Sequence, residues 1–166
     1  MKYLALIFAL STSVATAATP WESYLGEPSP TNAQRVTSIS YTTPVQGGYD
    51  ANDLEILKLQ VIAGDAQAFR LGYRLYKSSD GGLAEDLAAI LVSGIRPNPR
   101  FFLQQVAALK VSCSVFNVDT PGLEYADRAK AGAYEIEMRR LALASVKDKS
   151  LASVRQQCLT QIGPRR

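Results

Sequence analysis

The residue types that most often carry catalysis or bind metals are scarce in this chain. It contains no histidine and two cysteines, Cys113 and Cys158, which are too far apart for a Cys-x-x-Cys site. Histidine is the commonest general base and metal ligand, so its absence excludes Ser-His-Asp and Cys-His catalysis. Isolated cysteines do not indicate a zinc site or a thioredoxin-type redox pair. We therefore predict no catalytic residue, no metal site and no cofactor.

Carboxylates are the remaining side chains that could do acid–base chemistry. The local groupings are Glu85 with Asp86 and Glu124 with Asp127, and each pair lies in the first turn of a predicted helix. Negative charge at that position is favoured by the helix dipole, which explains both pairs without catalysis. The acidic segment at 50–53 is interpreted as a turn and helix cap rather than a calcium loop. A glycosidase would need carboxylates brought together from distant positions, and no pattern here indicates that.

The first seventeen residues have the pattern of a cleavable secretory signal peptide. Lys2 supplies the positive charge, residues 3–10 form an apolar run, and Ala15 with Ala17 forms the small-x-small pattern that predicts cleavage after Ala17. The apolar run is much shorter than the roughly 20 residues that span a bilayer, so a retained membrane anchor is the less favoured interpretation. We expect the mature chain to act in the bacterial periplasm or outside the cell.

The mature chain is expected to form one domain with a disulfide. Removal of 17 of the 166 residues leaves 149, which is enough to bury a core. Loss of Lys2 leaves 17 basic against 15 acidic residues, a net charge of +2 that does not indicate binding to nucleic acid or to an anionic membrane. In an exported chain, two cysteines favour a bond between Cys113 and Cys158, and the alternative is two separately buried thiols.

Residues 18–50 are rich in Pro, Ser, Thr and Gly, which predicts an extended arm without a long helix. Within the arm, the β-prone stretch 35–43 predicts either one short strand or an extended segment lying on the body. Trp21 and Tyr24 lie close to the expected new N-terminus. We expect these two side chains to pack against the body, and contact with a partner protein is the alternative.

Residues 51–166 show helical periodicity and predict a helical domain of about six helices. Asp65 and Asn98 are predicted helix caps, the first helix is expected to begin at Asn52 or Asp53, and Gly72 predicts a close helix crossing. Short turns between helices favour antiparallel neighbours. The predicted class is therefore all-α, as an irregular bundle or a short, solenoid-like stack of helix pairs.

Two of these helices carry more apolar residues than one buried stripe requires. In the first, Ile56 and Leu59 widen the stripe, so both flanks are expected to be buried. In the long helix predicted for 123–146, Tyr134, Met138 and Leu141 form a second stripe beside an alanine-rich inner face.

Together these observations favour a non-enzymatic protein-interaction domain of the bacterial envelope, such as an inhibitor, an immunity-type protein or an assembly factor. The expected partner is another protein. Two alternatives are a carboxylate-dependent hydrolase that acts on the cell wall and a carrier of a small apolar ligand. A pocket that gathers two or more acidic side chains would favour the hydrolase, and a dry cavity beneath the aromatic stripes would favour the carrier.

Overall fold

The computed structural model describes residues 17–116 and 128–163. Apart from Ala17, the expected signal peptide lies outside the described residues, as does the Glu124–Asp127 grouping. The described ranges contain α-helices and no strand, so the all-α prediction is confirmed. The helices are α1 (Pro20–Gly26), α2 (Pro30–Arg35), α3 (Ala51–Ala63), α4 (Ala66–Ser78), α5 (Gly81–Ser93), α6 (Pro99–Leu109), α7 (Arg128–Ser145) and α8 (Ala152–Gln161).

Side-chain caps define where the central helices begin. Asp65 accepts hydrogen bonds from the backbone N–H groups of Gln67 and Ala68 at the start of α4, and Asn98 caps α6 as predicted. The cap of α3 is Asp50, two or three residues before the expected cap at Asn52 or Asp53. The backbone of Asp50 is the last extended one before the helix, and its carboxylate accepts from the Asn52 N–H at 2.8 Å.

Helices α3, α4 and α5 pack on one another, while α6 contacts α4, α7 and α8. A Cβ atom built on Gly72 would lie 3.1 Å from the Leu91 Cδ2 atom of α5, so the predicted close helix crossing is confirmed. An aromatic cluster fills the core beside it, with the rings of Phe69, Phe102 and Phe116 between 5.1 and 6.3 Å apart. No helix in these ranges is both long and apolar enough to cross a membrane.

The expected extended arm is wrong in its first half, because residues 20–35 form α1 and α2. Each helix begins with a proline at its first position, where the missing N–H costs nothing, and each has a hydroxyl cap, from Thr19 and from Ser29. The prolines that prevent a long helix therefore start two short ones. Of the two alternatives for 35–43, the strand is not formed; after Arg35 the stretch is irregular chain that lies on the body, with Ile39 and Tyr41 packed against the core.

Trp21 and Tyr24 are buried in the core, which confirms that they pack against the body. The alternative, that these two residues bind a partner protein, is wrong, because their side chains are 0% and 2% exposed and offer no surface to another protein. The indole N–H of Trp21 donates to the Tyr41 hydroxyl at 3.2 Å. Burial raises the pKa of Tyr24 to about 12, with a smaller contribution from the charge of Asp65.

The two cysteines come together as expected. Cys113 and Cys158 are buried at disulfide-bonding distance, with their Cα atoms 4.9 Å apart. Cys113 begins a 3-10 turn after α6, and Cys158 lies on α8. The bond therefore ties the end of α6 to the last described helix.

Candidate binding groove

A groove of about 870 Å³ lies between α3, α5 and α7. Its floor and walls are mostly aliphatic, and its rim is charged. The apolar lining consists of Ala51, Leu54 and Ile62 from α3, Ala89 and Ile90 from α5, Pro97 after α5, and Met138, Leu141 and Ala142 from α7. Concave apolar surfaces of this size are typical of sites that bind ligands or partner segments.

The direction of the walls defines two ends of the groove. Helices α3 and α5 run the same way, because α4 reverses the chain between them: the Tyr49 hydroxyl just before α3 meets Asp86 in the second turn of α5, and Val61 meets Gly94 where both helices end. The prediction that Glu85 and Asp86 lie in the first turn of their helix is wrong, because α5 already begins at Gly81. We call these the Asp86 end and the Arg96 end, since Arg96 follows α5 and also lines the groove.

At the Asp86 end, two carboxylates line the groove. The Tyr49 hydroxyl donates to Asp86 Oδ2 at 2.5 Å, and this hydrogen bond raises the pKa of Tyr49 to about 12. Glu55, one turn into α3, forms an ion pair with Lys58 at 2.8 Å, and their side chains are 56% and 38% exposed. This end therefore has more negative than positive side chains.

At the Arg96 end, one carboxylate is shared by two guanidinium groups. Glu135 of α7 lies 2.8 Å from Arg96 Nη1 and 3.1 Å from Arg139 Nε. The Arg139 side chain is only 4% exposed, so the carboxylate offsets part of the cost of burying its charge. This end therefore has more positive than negative side chains.

The helices that border the groove also carry exposed hydrophobic residues. In the part of the chain that the structure describes, the large hydrophobic side chains that are more than half exposed are Leu59 on α3 and Tyr134 and Leu141 on α7. Exposed apolar surface next to a groove is typical of interaction sites. The expectation that both flanks of α3 are buried is wrong for Leu59, whose side chain is 61% exposed.

The groove places three of the chain's acidic side chains around one concavity: Glu55, Asp86 and Glu135. Each is engaged by a neighbour, through Lys58, Tyr49 and the two arginines respectively. Within residues 17–116 and 130–163, no group of three or more cysteine or acidic side chains is placed to hold a metal ion. In the described structure each of these carboxylates accepts a hydrogen bond or an ion pair from a neighbour.

Three residues that the sequence brings out, Asp86 as an acidic candidate and Met138 with Leu141 as a second apolar stripe, do line the groove. Trp21, Tyr24, Cys113 and Cys158 do not line it. The signal that could have located it is the surplus of apolar residues on two helices, especially the stripe that contains Met138 and Leu141. No protein-family model matches the chain, and neither a curated protein nor a solved structure resembles it significantly.

Proposed function

We propose that this chain is an exported, non-enzymatic protein-interaction domain whose groove receives an apolar segment of another protein. The observation that carries the proposal is the aliphatic groove between α3, α5 and α7, with the exposed side chain of Leu141 on its wall. The signal-peptide pattern of residues 1–17 supports action in the bacterial periplasm or outside the cell. A cysteine pair at disulfide distance supports the same location, since such bonds persist in oxidising compartments.

Binding of a protein segment accounts for the exposed apolar surface. A groove bounded by helices is a common receptor for an amphipathic helix, which lays its apolar face along the floor. Covering a leucine such as Leu141 contributes about 1.5–3 kcal/mol when the side chain becomes fully buried, and less from its half-exposed state. Met138 and Ile62, which are also partly open to the groove, would be covered at the same time.

The hydrolase alternative has one observation in its favour, since Glu55, Asp86 and Glu135 line the same groove. We rank it second because each carboxylate already has a hydrogen-bond or ion-pair partner. Release of soluble fragments from purified cell wall by the mature protein, abolished in Asp86→Asn, would establish it and overturn the binding proposal. The apolar-ligand carrier lacks its expected feature, because no aromatic side chain lines the groove.

The proposal is tested by a photo-reactive amino acid placed at Leu141 in the exported protein, with Gln104 as the matched control. Gln104 is exposed on α6 and does not line the groove. We expect a defined protein adduct from position 141 and none from position 104. The captured protein, once identified and purified, should bind the mature chain, and Leu141→Arg should weaken this binding about tenfold or more, which is about 1.4 kcal/mol. Identical adducts from both positions, or binding that Leu141→Arg leaves unchanged, would overturn it.

A further inference from the structure

The charges on the rim divide between the two ends of the groove. The Asp86 end combines Glu55 and Asp86 with Lys58, and the Arg96 end combines Arg96 and Arg139 with Glu135. Among the described residues, two acids and one base face one end, whereas at the other end Arg96 is the exposed charge and Arg139 is buried against Glu135. A segment with the same charge at both ends would be attracted at one end and repelled at the other.

The length of the groove sets the length of its occupant. On α3 the lining runs from Ala51 to Ile62, and a rise of 1.5 Å per residue gives a length of about 16 Å. A helix of about three turns spans this distance. Such a helix presents an apolar face through residues spaced three and four apart, which matches a floor of aliphatic side chains.

We infer that the segment bound in the groove is an amphipathic helix of about three turns that carries a cationic residue at one end and an acidic residue at the other. This inference rests on the proposed function and names the chemistry of the partner. The cationic residue lies beside Glu55 and Asp86, and the acidic residue lies beside Arg96.

The charged groups of Glu55 and Arg96 can each bind a residue of the segment while they keep their ion pairs within the chain. The side chains of Glu55 and Arg96 are 56% and 47% exposed, so their charged atoms are accessible from the groove. A carboxylate accepts several hydrogen bonds, and a guanidinium has five N–H donors. The ion pairs of the unbound protein therefore do not have to break when the segment binds.

Three synthetic twelve-residue helical peptides test the inference with the mature chain. They share one apolar face and blocked termini, and they carry Lys and Glu at opposite ends, Lys at both ends, or Glu at both ends. Fluorescence anisotropy of the labelled peptides measures their Kd. We expect the Lys/Glu peptide to bind at least about threefold more tightly than the other two, and the difference to shrink at high salt because these charges are solvent-exposed.

The variant Arg96→Glu should change which of the three peptides binds most tightly. Both ends of its groove are acidic, so it should bind the Lys/Lys peptide most tightly. Arg100→Glu is the matched control, because Arg100 is also an exposed arginine, pairs with Asp148 at 3.1 Å and lies outside the groove. This control should keep the preference of the wild type.

The outcomes separate the inference from the proposed function. Equal binding of the three peptides to the wild type and to Arg96→Glu would overturn the charge assignment and leave a groove that binds helices. Failure of all three peptides to bind would overturn the helical occupant, and the adduct formed from position 141 then decides independently whether the groove binds protein. Preferential binding of an acyl-chain amphiphile over every peptide would overturn both.

Discussion

Arg96 and Glu135 form an ion pair of 2.8 Å that joins the chain just after α5 to α7 across one end of the groove. Arg96 is nearly half exposed, so the pair itself contributes little to the free energy of unfolding. Glu135 has a second role, because it also accepts from the buried guanidinium of Arg139. Charged groups thus contribute to the contact between α7 and the end of α5 at the Arg96 end of the groove.

These contacts predict that the two partners are unequal in their effect on stability. Arg96→Ala should lower the free energy of unfolding by less than about 1 kcal/mol, as expected for an exposed pair. Glu135→Ala should cost more, about 1–3 kcal/mol, because buried Arg139 loses a carboxylate partner. Urea unfolding of both variants measures the difference. Equal losses would show that Arg139 does not depend on Glu135.

Arg74 is predicted to hold the N-terminal helices in place. Its Nη2 atom donates to the backbone carbonyls of Ala33 and Val36 at 2.6 and 2.8 Å, which attaches the end of α2 to α4. Arg74→Ala should lower stability by about 1–3 kcal/mol. The fluorescence of Trp21, the single tryptophan of the chain, reports the loss of the buried environment during urea unfolding.

The control for this prediction is Arg70→Ala, on the exposed surface of the same helix. It should unfold at the urea concentration of the wild type. If Arg74→Ala also unfolds at that concentration, the two carbonyl contacts do not stabilise the N-terminal helices.

The Glu22 carboxylate should make the free energy of unfolding depend on pH in the acid range. Hydrogen bonds from Thr42 and Thr19 to its carboxylate hold its pKa at about 2, below its usual value. A group with a lowered pKa in the folded state stabilises the fold above its unfolded pKa and loses that effect as the pH falls through the folded pKa. The contribution of Glu22 should therefore be complete above about pH 4.5 and disappear towards pH 2.

The measurement is the melting temperature of the wild type and of Glu22→Gln between pH 2 and pH 6. The two curves should lie furthest apart above pH 4.5 and converge towards pH 2. Glu27→Gln, which makes the same change of charge in the same segment, is the matched control. A constant difference between Glu22→Gln and the wild type would contradict the proposed role of the carboxylate.

The cysteine pair predicts a redox-dependent stability. A bond between Cys113 and Cys158 closes a loop with a sequence separation of 45, and restricting the unfolded chain in this way contributes about 2–4 kcal/mol. A reducing agent should lower the urea midpoint of the wild type. The double variant Cys113→Ser/Cys158→Ser should start near that lower midpoint and not respond to the reducing agent. A wild type that is insensitive to reduction would argue against the bond.

Local patterns predicted most of the fold because they involve neighbours in sequence. Asp65 and Asn98 begin helices through contacts within three residues, and Gly72 marks a crossing through its missing side chain. The density of prolines in residues 18–50 predicts the absence of a long helix, but it does not exclude two short ones. Pro20 and Pro30 instead occupy the one helical position that tolerates proline, behind a hydroxyl cap.

The groove depends on how α7 is placed against α3 and α5, which no local pattern specifies. Glu55, Asp86 and Glu135 come from three helices and line the same groove only in the folded chain. The sequence did show that α7 has a second apolar stripe through Met138 and Leu141. It could not show that this stripe borders an open groove, because burial of Leu141 depends on elements far away in sequence.

The central claim is that a partner segment lies between α3, α5 and α7. Methyl NMR of the mature chain, recorded while the captured partner or the Lys/Glu peptide is added, tests this most directly. We expect the chemical shifts of the methyl groups that line the groove to change, namely those of Leu54, Ile62, Ile90, Met138 and Leu141. The methyl groups of Leu75 and Leu103, buried elsewhere in the core, should stay in place. If the methyl resonances of the groove residues do not change at a saturating concentration of the partner, the proposed binding site is wrong.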